Sequence, residues 1–260
     1  MYKYRDVITL TLTQLTTLKP RFLPDRPGPL IGLHVIHTGH GHAWTDRWPD
    51  PRAILTETAG NYSLTGDPDS LTPDSLQPRI SGFVEAPETF VPLLRDTFPN
   101  LVVWDRVIYR LDCEPQFATS SGFVIRRLGA EDAGPLAGLS AESNWVYKTW
   151  YGAENMAKSG YAWGAFADGK LVSVANTFFV GEQYEDLGAV TEPEYRGRGL
   201  NTACAGAMCT DTIQRGRIPS WTTSPDNIAS MRVAEKLGFK LVRRDVLYVV
   251  GINVPNPPSS

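Results

Sequence analysis

In the second half of the chain the apolar positions switch between a strand period and a helix period. The runs YAWGAFADGKLVSVANTFFV and EDLGAVT carry β-branched and aromatic residues, and Asp168-Gly169 marks a tight turn between two predicted strands. From 199 to 215, Leu200, Ala203, Cys204, Ala207 and Met208 recur every three or four positions, which predicts a helix with one buried stripe that ends at Gly216. A short strand follows at PSWTTS. The next helix starts near Ser224 to Asp226, where either side chain can cap it and Pro225 suits a first-turn position. Met231, Ala234 and Leu237 keep one face of it apolar, Gly238 fits the C-terminal cap, and Phe239 can pack back. LVRRDVLYVV is the last predicted strand, while FVIRRL, EDAGPLAGLSAES and WVYKTWYGAENMAKSG supply a strand and helical stretches upstream.

The first half is more broken. Residues 20–30 and 65–79 are rich in Pro, Gly and Asp and predict loops. LHVIHTGHGHAW and RAILTETAGNYSLTG predict short antiparallel strands, PETFVPLLRDTF a helix and LVVWDRVIYRL another strand. DCEPQFATSSG has few large apolar residues and is expected to be a linker. The pattern as a whole predicts an α+β protein of two lobes, an N-terminal one over 1–115 and a second over 123–250. The first lobe is expected to be structural and to shape one side of an acceptor cleft.

With 260 residues, of which 42% are hydrophobic and 20% charged, the chain has the material for a buried core. A formal net charge of -3 counts against a broad field for nucleic acid. The N-terminus lacks a basic segment followed by a long apolar run, and no stretch of about 18 consecutive apolar residues occurs. The expectation is a soluble, cytoplasmic protein with no membrane partner. Cys113, Cys204 and Cys209 have no metal-type spacing and are expected to be small core residues. His34, His37, His40 and His42 offer four imidazoles, but their spacing is not standard and Gly39 and Gly41 suggest a hairpin that scatters them. A solvated polar hairpin is the favoured reading and no metal is expected.

The chemistry is concentrated between Glu185 and Asn201. A strand runs into the turn TEPEY, and Arg196-Gly197-Arg198-Gly199-Leu200 then opens a helix. Such a helix start presents unpaired backbone N–H groups to an anion, and its glycines let a phosphate approach the backbone. The pattern is neither the P-loop nor the dinucleotide fingerprint. Four Arg and Gly residues on their own are equally compatible with a surface turn.

The wider context decides between these readings. EDLGAVTEPEYRGRGLNTACAGAM, followed by PSWTTSPDNIASMRVAEKLGF, resembles the GNAT superfamily of acyl-CoA-dependent N-acyltransferases over about half the chain. It is most similar to the bacterial group that includes the zwittermicin-resistance acetyltransferase, through Trp150-Tyr151-Gly152, Thr191 to Gly197, Pro219-Ser220-Trp221 and Ala234 to Phe239. The resemblance implies a twisted mixed sheet flanked by helices, with acetyl-CoA as co-substrate between two splayed strands and a small-molecule amine as acceptor. Ala189, Val190 and Thr191 would lie along the pantetheine arm. Arg196, Gly197, Arg198, Gly199, Leu200 and Asn201 would hold the pyrophosphate, and Asn227 and Ser230 would face the thioester. Asn201 stands at the final Gly/Ala position of the signature, and Ala234 stands where many relatives have a Tyr that protonates the leaving thiolate; Ser230 is the remaining hydroxyl nearby.

The candidate base is Glu185 or Asp186, of which Asp186 fits the group's spacing better. Trp145, Tyr147, Trp150 and Tyr151 suit either an acceptor pocket or core packing, with the family comparison favouring the pocket. Two other functions fit part of the pattern: a non-catalytic acyl-CoA-binding regulator, suggested by Ala234, and a toxin acting on charged tRNA, disfavoured by the acidic balance.

Overall fold

A computed structural model describes residues 7–118 and 122–255. Among these the chain divides into two compact units, one formed by 7–24, 31–106 and 244–255 and the other by 25–30, 107–118 and 122–243. Helices and mixed sheet make up both, the α+β class that the pattern predicts.

The first unit contains β1 (Ile8–Thr9), α1 (Leu12–Thr17), α2 (Ile31–Thr38), β2 (His42–Thr45), β3 (Ala53–Thr58), β4 (Asn61–Gly66), α3 (Pro73–Leu76), β5 (Gly82–Glu85) and α4 (Val91–Thr97). It also takes in most of the last strand, β12 (Lys240–Val250), and the start of β6 (Val102–Arg110). Its strands run in the order β1-β2-β3-β4-β5-β12, antiparallel except for β4 with β5. Leu55, Leu64, Leu76, Phe90, Leu94 and Tyr248 anchor the larger of its two cores.

Residues 31–38 correct one expectation, since they form a helix in place of a strand. Ile31, Leu33, His34 and Val35 are all buried, which a half-exposed hairpin strand does not allow, and Gly39 at φ +71 follows the helix end. His34 and His37 are therefore on α2, His40 is in the following loop and His42 opens β2. Among the described residues no three His, Cys, Asp or Glu side chains are grouped so as to hold a metal ion.

The second unit contains β7 (Val124–Arg127), α5 (Ala133–Ala137), a 3-10 helix (Asn144–Trp150), α6 (Ala153–Ser159), β8 (Ala162–Ala167), β9 (Lys170–Val180), β10 (Tyr184–Thr191), α7 (Leu200–Gln214), β11 (Ile218–Thr223) and α8 (Ile228–Leu237). Its strand order is β6-β11-β10-β9-β8-β7, with only β10 and β11 parallel among the recorded pairs. Asp168 and Gly169, at φ +48 and +81, make the predicted turn between β8 and β9. Helix α7 buries its predicted stripe, of which Leu200, Cys204 and Met208 join a core with Trp221, Ala234, Leu237 and Phe239. It also buries Ala205, Gly206, Cys209, Asp211 and Thr212, so it is covered on more than one side. Part of that cover is the expected linker: a Cβ on Gly206 would fall 2.3 Å from the Phe117 ring, so glycine there lets the ring lie against the helix. No helix among the described residues is long and apolar enough to cross a membrane.

Candidate active site

Strand β10 pairs with β9 from Glu185 to Thr191. Its other edge pairs with β11 only from Tyr184 to Leu187, against Ile218 to Trp221. Beyond those pairs β10 continues to Thr191, still bonded to β9, and β11 continues to Thr223, still bonded to β6. Each strand is thus held on its outer side while the two part from each other. From Gly188 to Thr191 the gap-facing edge of β10 has no strand partner, so its backbone N–H and C=O groups, apart from the Thr191 carbonyl, are open to whatever enters the gap.

The chain leaves β10 through a 3-10 turn at Pro193–Tyr195 and reaches α7 through Gly197 and Gly199, both at φ +76. Those angles favour glycine. No side chain caps α7, so its first-turn amides point outward unpaired. A Cβ on Gly197 would meet no atom within 4 Å, so the space beside the turn is open. Around it, Arg196 pairs with Glu142 at 2.7 Å and its Nε donates to the Thr191 carbonyl at 3.4 Å. The Arg198 guanidinium lies 5.1 Å from the Tyr195 ring centroid and donates to the Glu194 carbonyl at 3.2 Å. Asn201, in the first turn of α7, has a buried Oδ1 with no hydrogen-bond partner.

The two candidate acids differ in surroundings. Glu185 is fully buried and accepts hydrogen bonds from Thr177 (2.6 Å), Thr212 (3.1 Å), Arg215 (2.6 and 3.1 Å) and Arg217 (3.1 Å). Burial alone would raise its pKa, but the bonds and charge of Arg215, with Thr177 and Arg217, outweigh that and hold it below the usual carboxylate value. Arg215 extends the cluster to Asp211, which also pairs with Arg127. This is a closed ion-pair network beside α7. Asp186 points to the opposite face of the strand, where its Oδ1 accepts from Ser220 (2.8 Å) and Thr222 (2.9 Å), both on β11 beside the gap. The β9–β10 register slips just after Asp186 and leaves Phe178 without a cross-strand partner on β10.

On α8, Asn227 is the N-cap: its Oδ1 accepts the Ser230 N–H at 3.1 Å. The cap is therefore neither Ser224 nor Asp226, because the helix begins only at Ile228. The Ser230 hydroxyl accepts a hydrogen bond from Trp221 Nε1 at 2.9 Å, which fixes it beside β11. Ala234 is buried in the core.

The aromatic run divides by position. Trp150 is a core residue with its Nε1 bonded to the Thr177 carbonyl at 2.8 Å and Tyr147 packs against the same cluster, whereas Trp145 and Tyr151 are exposed, Trp145 lying edge-on against Phe178 at 5.3 Å. Burial pushes the Cys204 thiol up to about 12 and raises Cys209 as well, which leaves neither as a nucleophile at neutral pH. Sequence reasoning named Ser220 only within Pro219-Ser220-Trp221, with no role, and did not single out Thr222 or Asn176. Asn176 had a visible signal, a lone amide within the apolar run VSVANTFFV.

A model of the GNAT acetyltransferase family matches residues 29–248. The chain belongs to that family. It is 42% identical over 202 residues to an uncharacterized N-acetyltransferase from the mutA 5′ region of Streptomyces virginiae, covering 76% of this chain and 85% of the relative. Over 131 residues it is 28% identical to the uncharacterized N-acetyltransferase YdfB of Bacillus subtilis, covering 50% of this chain and 49% of that protein. Among solved structures, a GCN5-related N-acetyltransferase-like protein from Streptococcus suis superposes with a TM-score of 0.70 at 18% identity, over 92% of this chain and 99% of that one. A GNAT acetyltransferase from Colwellia psychrerythraea gives 0.63 at 16% identity, over 94% and 98% of the two chains. These two share the fold. The parted strands and the uncapped glycine turn of this GNAT acetyltransferase are suited to an acyl-CoA, which needs backbone partners along its arm and anion ligands for its pyrophosphate.

Proposed function

We propose that this GNAT acetyltransferase transfers an acetyl group from acetyl-CoA to the primary amine of a small molecule. The observation that carries the reading is the parting of β10 and β11 after Leu187 and Trp221, which leads directly into the uncapped start of α7. Acetyl-CoA, when bound, supplies an activated acyl carbon. In this reading the edge of Ala189, Val190 and Thr191 bonds the pantetheine arm. The amides and side chains of Arg196, Gly197, Arg198, Gly199, Leu200 and Asn201 take the pyrophosphate, and Asn227 and Ser230 border the thioester. Each charged hydrogen bond contributes about 1.5 to 3 kcal/mol, more than the helix dipole alone at about 0.3 to 2 kcal/mol.

An alkylammonium with a pKa of about 10.4 is mostly protonated at neutral pH, so attack requires removal of a proton. We assign that removal to Asp186, directly or through water. Glu185 is enclosed by two arginines, which makes it a poor base. Ser230 is the hydroxyl available to the departing thiolate, since Ala234 has none. The turn from Thr191 to Gly197, Pro219-Ser220-Trp221 and Ala234 to Phe239 support a place beside the zwittermicin-resistance acetyltransferase. The test is thiol release from acetyl-CoA with a panel of amino acids, polyamines, amino sugars and peptides. Turnover with a small amine supports the reading; acetyl-CoA binding with no thiol release across the panel would favour a regulator.

A further inference from the structure

Trp221 is the last residue of β11 that pairs with β10, so it stands where the two strands part. Its ring is held in place: it is 4% exposed, lies in the core with Leu200, Cys204 and Leu237, and meets the Phe239 ring edge-on with centroids 5.9 Å apart. Its Nε1 reaches the first turn of α8 and donates to the Ser230 hydroxyl at 2.9 Å. An indole N–H can only donate, whereas a hydroxyl can both donate and accept. One lone pair of the Ser230 oxygen is therefore occupied, and the hydroxyl hydrogen must turn away from the indole.

That hydrogen has no acceptor inside the fold. Thr38, Thr97 and Thr210, on three other helices, each donate to the carbonyl four residues back, at 2.7, 2.7 and 3.2 Å. Ser230 lacks this outlet, because the residue four back, Asp226, precedes α8 and its carbonyl accepts the Ile228 N–H at 3.0 Å. Asn227 Oδ1 takes the Ser230 backbone N–H and not its hydroxyl. Among the described residues no hydrogen bond uses the Ser230 hydroxyl hydrogen, and the residue is only half-buried. Leu187 and Trp221 share the face of the sheet that carries α7 and α8, while Asp186 and Ser220 share the other. The proposed base and the Ser230 hydroxyl thus flank the gap from opposite faces.

We propose that Trp221 is a positioning residue: by occupying the Ser230 oxygen it turns the hydroxyl hydrogen toward the gap, where it bonds the sulfur that leaves the thioester. This rests on the reading above, in which acetyl-CoA lies between β10 and β11 with Ser230 beside its thioester. As the C–N bond forms and the C–S bond breaks, the bonding pair departs on sulfur and the amine proton goes to Asp186. An alcohol is a much weaker acid than a thiol, whose pKa is about 8.5, so Ser230 keeps its hydrogen and shares it with the thiolate. The bond strengthens as charge grows on sulfur, so it lowers the barrier more than it tightens acetyl-CoA binding.

CoA itself tests this without any acceptor, since the ultraviolet absorbance of its thiolate follows the titration of the bound thiol, and a donor aimed at sulfur favours the charged form. In the parent the bound thiol is expected to titrate about one pH unit or more below free CoA. Ser230→Ala and Trp221→Phe should each move the midpoint back up by about half a unit or more, with CoA affinity retained. In a Ser230→Ala background Trp221→Phe should add nothing, because the indole acts through that hydroxyl. The charged and titratable groups of β10, α7 and α8, among them Asp186, Asp211, Arg232 and Glu235, are the same in parent and variants, so their fields cancel in the comparison. Site-specific replacement of Trp221 by benzothienylalanine, which carries sulfur in place of the N–H in a ring of similar size, gives the same comparison if Trp221→Phe fails to fold. A bound thiol that titrates as in free CoA, or a midpoint that Trp221→Phe leaves in place or moves equally with and without Ser230, overturns the inference and leaves the acetyltransferase reading standing. No binding of CoA or acetyl-CoA by the parent overturns that reading, and this inference with it.

Discussion

Glu185 and Asp186 are neighbours in sequence that face opposite sides of β10 and, in the proposed mechanism, have different tasks. Glu185 is fully buried between Arg215 and Arg217, so Glu185→Gln leaves two cations under-compensated and should cost about 3 kcal/mol of stability in denaturant unfolding, near the lower end for a broken buried pair. Its folded pKa lies below the usual 4.5, so its contribution is complete above about pH 5 and is lost as pH falls through the folded value. The variant should lack this part of the acid destabilisation; an unchanged acid limb would mean the pair contributes nothing. Asp186→Asn should leave acetyl-CoA affinity in place and lower kcat by about 10²- to 10⁴-fold, the usual range for a lost general base. A parent-like pH–rate profile in that variant would remove Asp186 from the mechanism. The resemblance narrowed the candidate base to this pair and favoured Asp186 by spacing, without distinguishing their surroundings. The partners that do so, Thr177, Thr212, Arg215 and Arg217 against Ser220 and Thr222, come from other strands and from α7, and only folding brings them together.

At the scale of elements, the turn between β10 and α7 depends on conformation more than on space. Gly197 has room for a Cβ but sits at φ +76, so Gly197→Ala should cost about 1 to 2 kcal/mol through backbone strain. It should also weaken acetyl-CoA binding, measured by calorimetry, because relief of the strain would turn the amides away from the anion. Affinity equal to the parent's would show that the turn tolerates a left-handed alanine and that its glycines serve another purpose. This turn, the stripe of α7, the Gly238 cap of α8 and the Asp168-Gly169 hairpin were legible in the sequence because each depends on contacts within a few residues. Residues 31–38 were not. Their alternating His and apolar residues suit a strand, and it is burial of Ile31, Leu33, His34 and Val35 together, with α2 packed on β3, that makes them a helix. The second cover of α7 was equally hidden, since it depends on Phe117 meeting Gly206 across 89 residues of chain (206 − 117).

For the whole molecule, two compact units each carry their own buried clusters, Phe90, Leu94 and Tyr248 in one and Met208, Trp221 and Leu237 in the other. The parted strands and the glycine turn both fall within the second unit, as does the acid pair. One acyl-CoA site per chain, dependent on Arg196 and Arg198, is therefore expected. Calorimetric titration of acetyl-CoA into the intact protein tests this most directly. The expected result is one equivalent bound per chain, with affinity about tenfold or more lower in a folded Arg196→Ala/Arg198→Ala variant, in line with the loss of hydrogen bonds to a charged group. Two equivalents per chain, no binding by the parent, or full affinity in the double variant would contradict it.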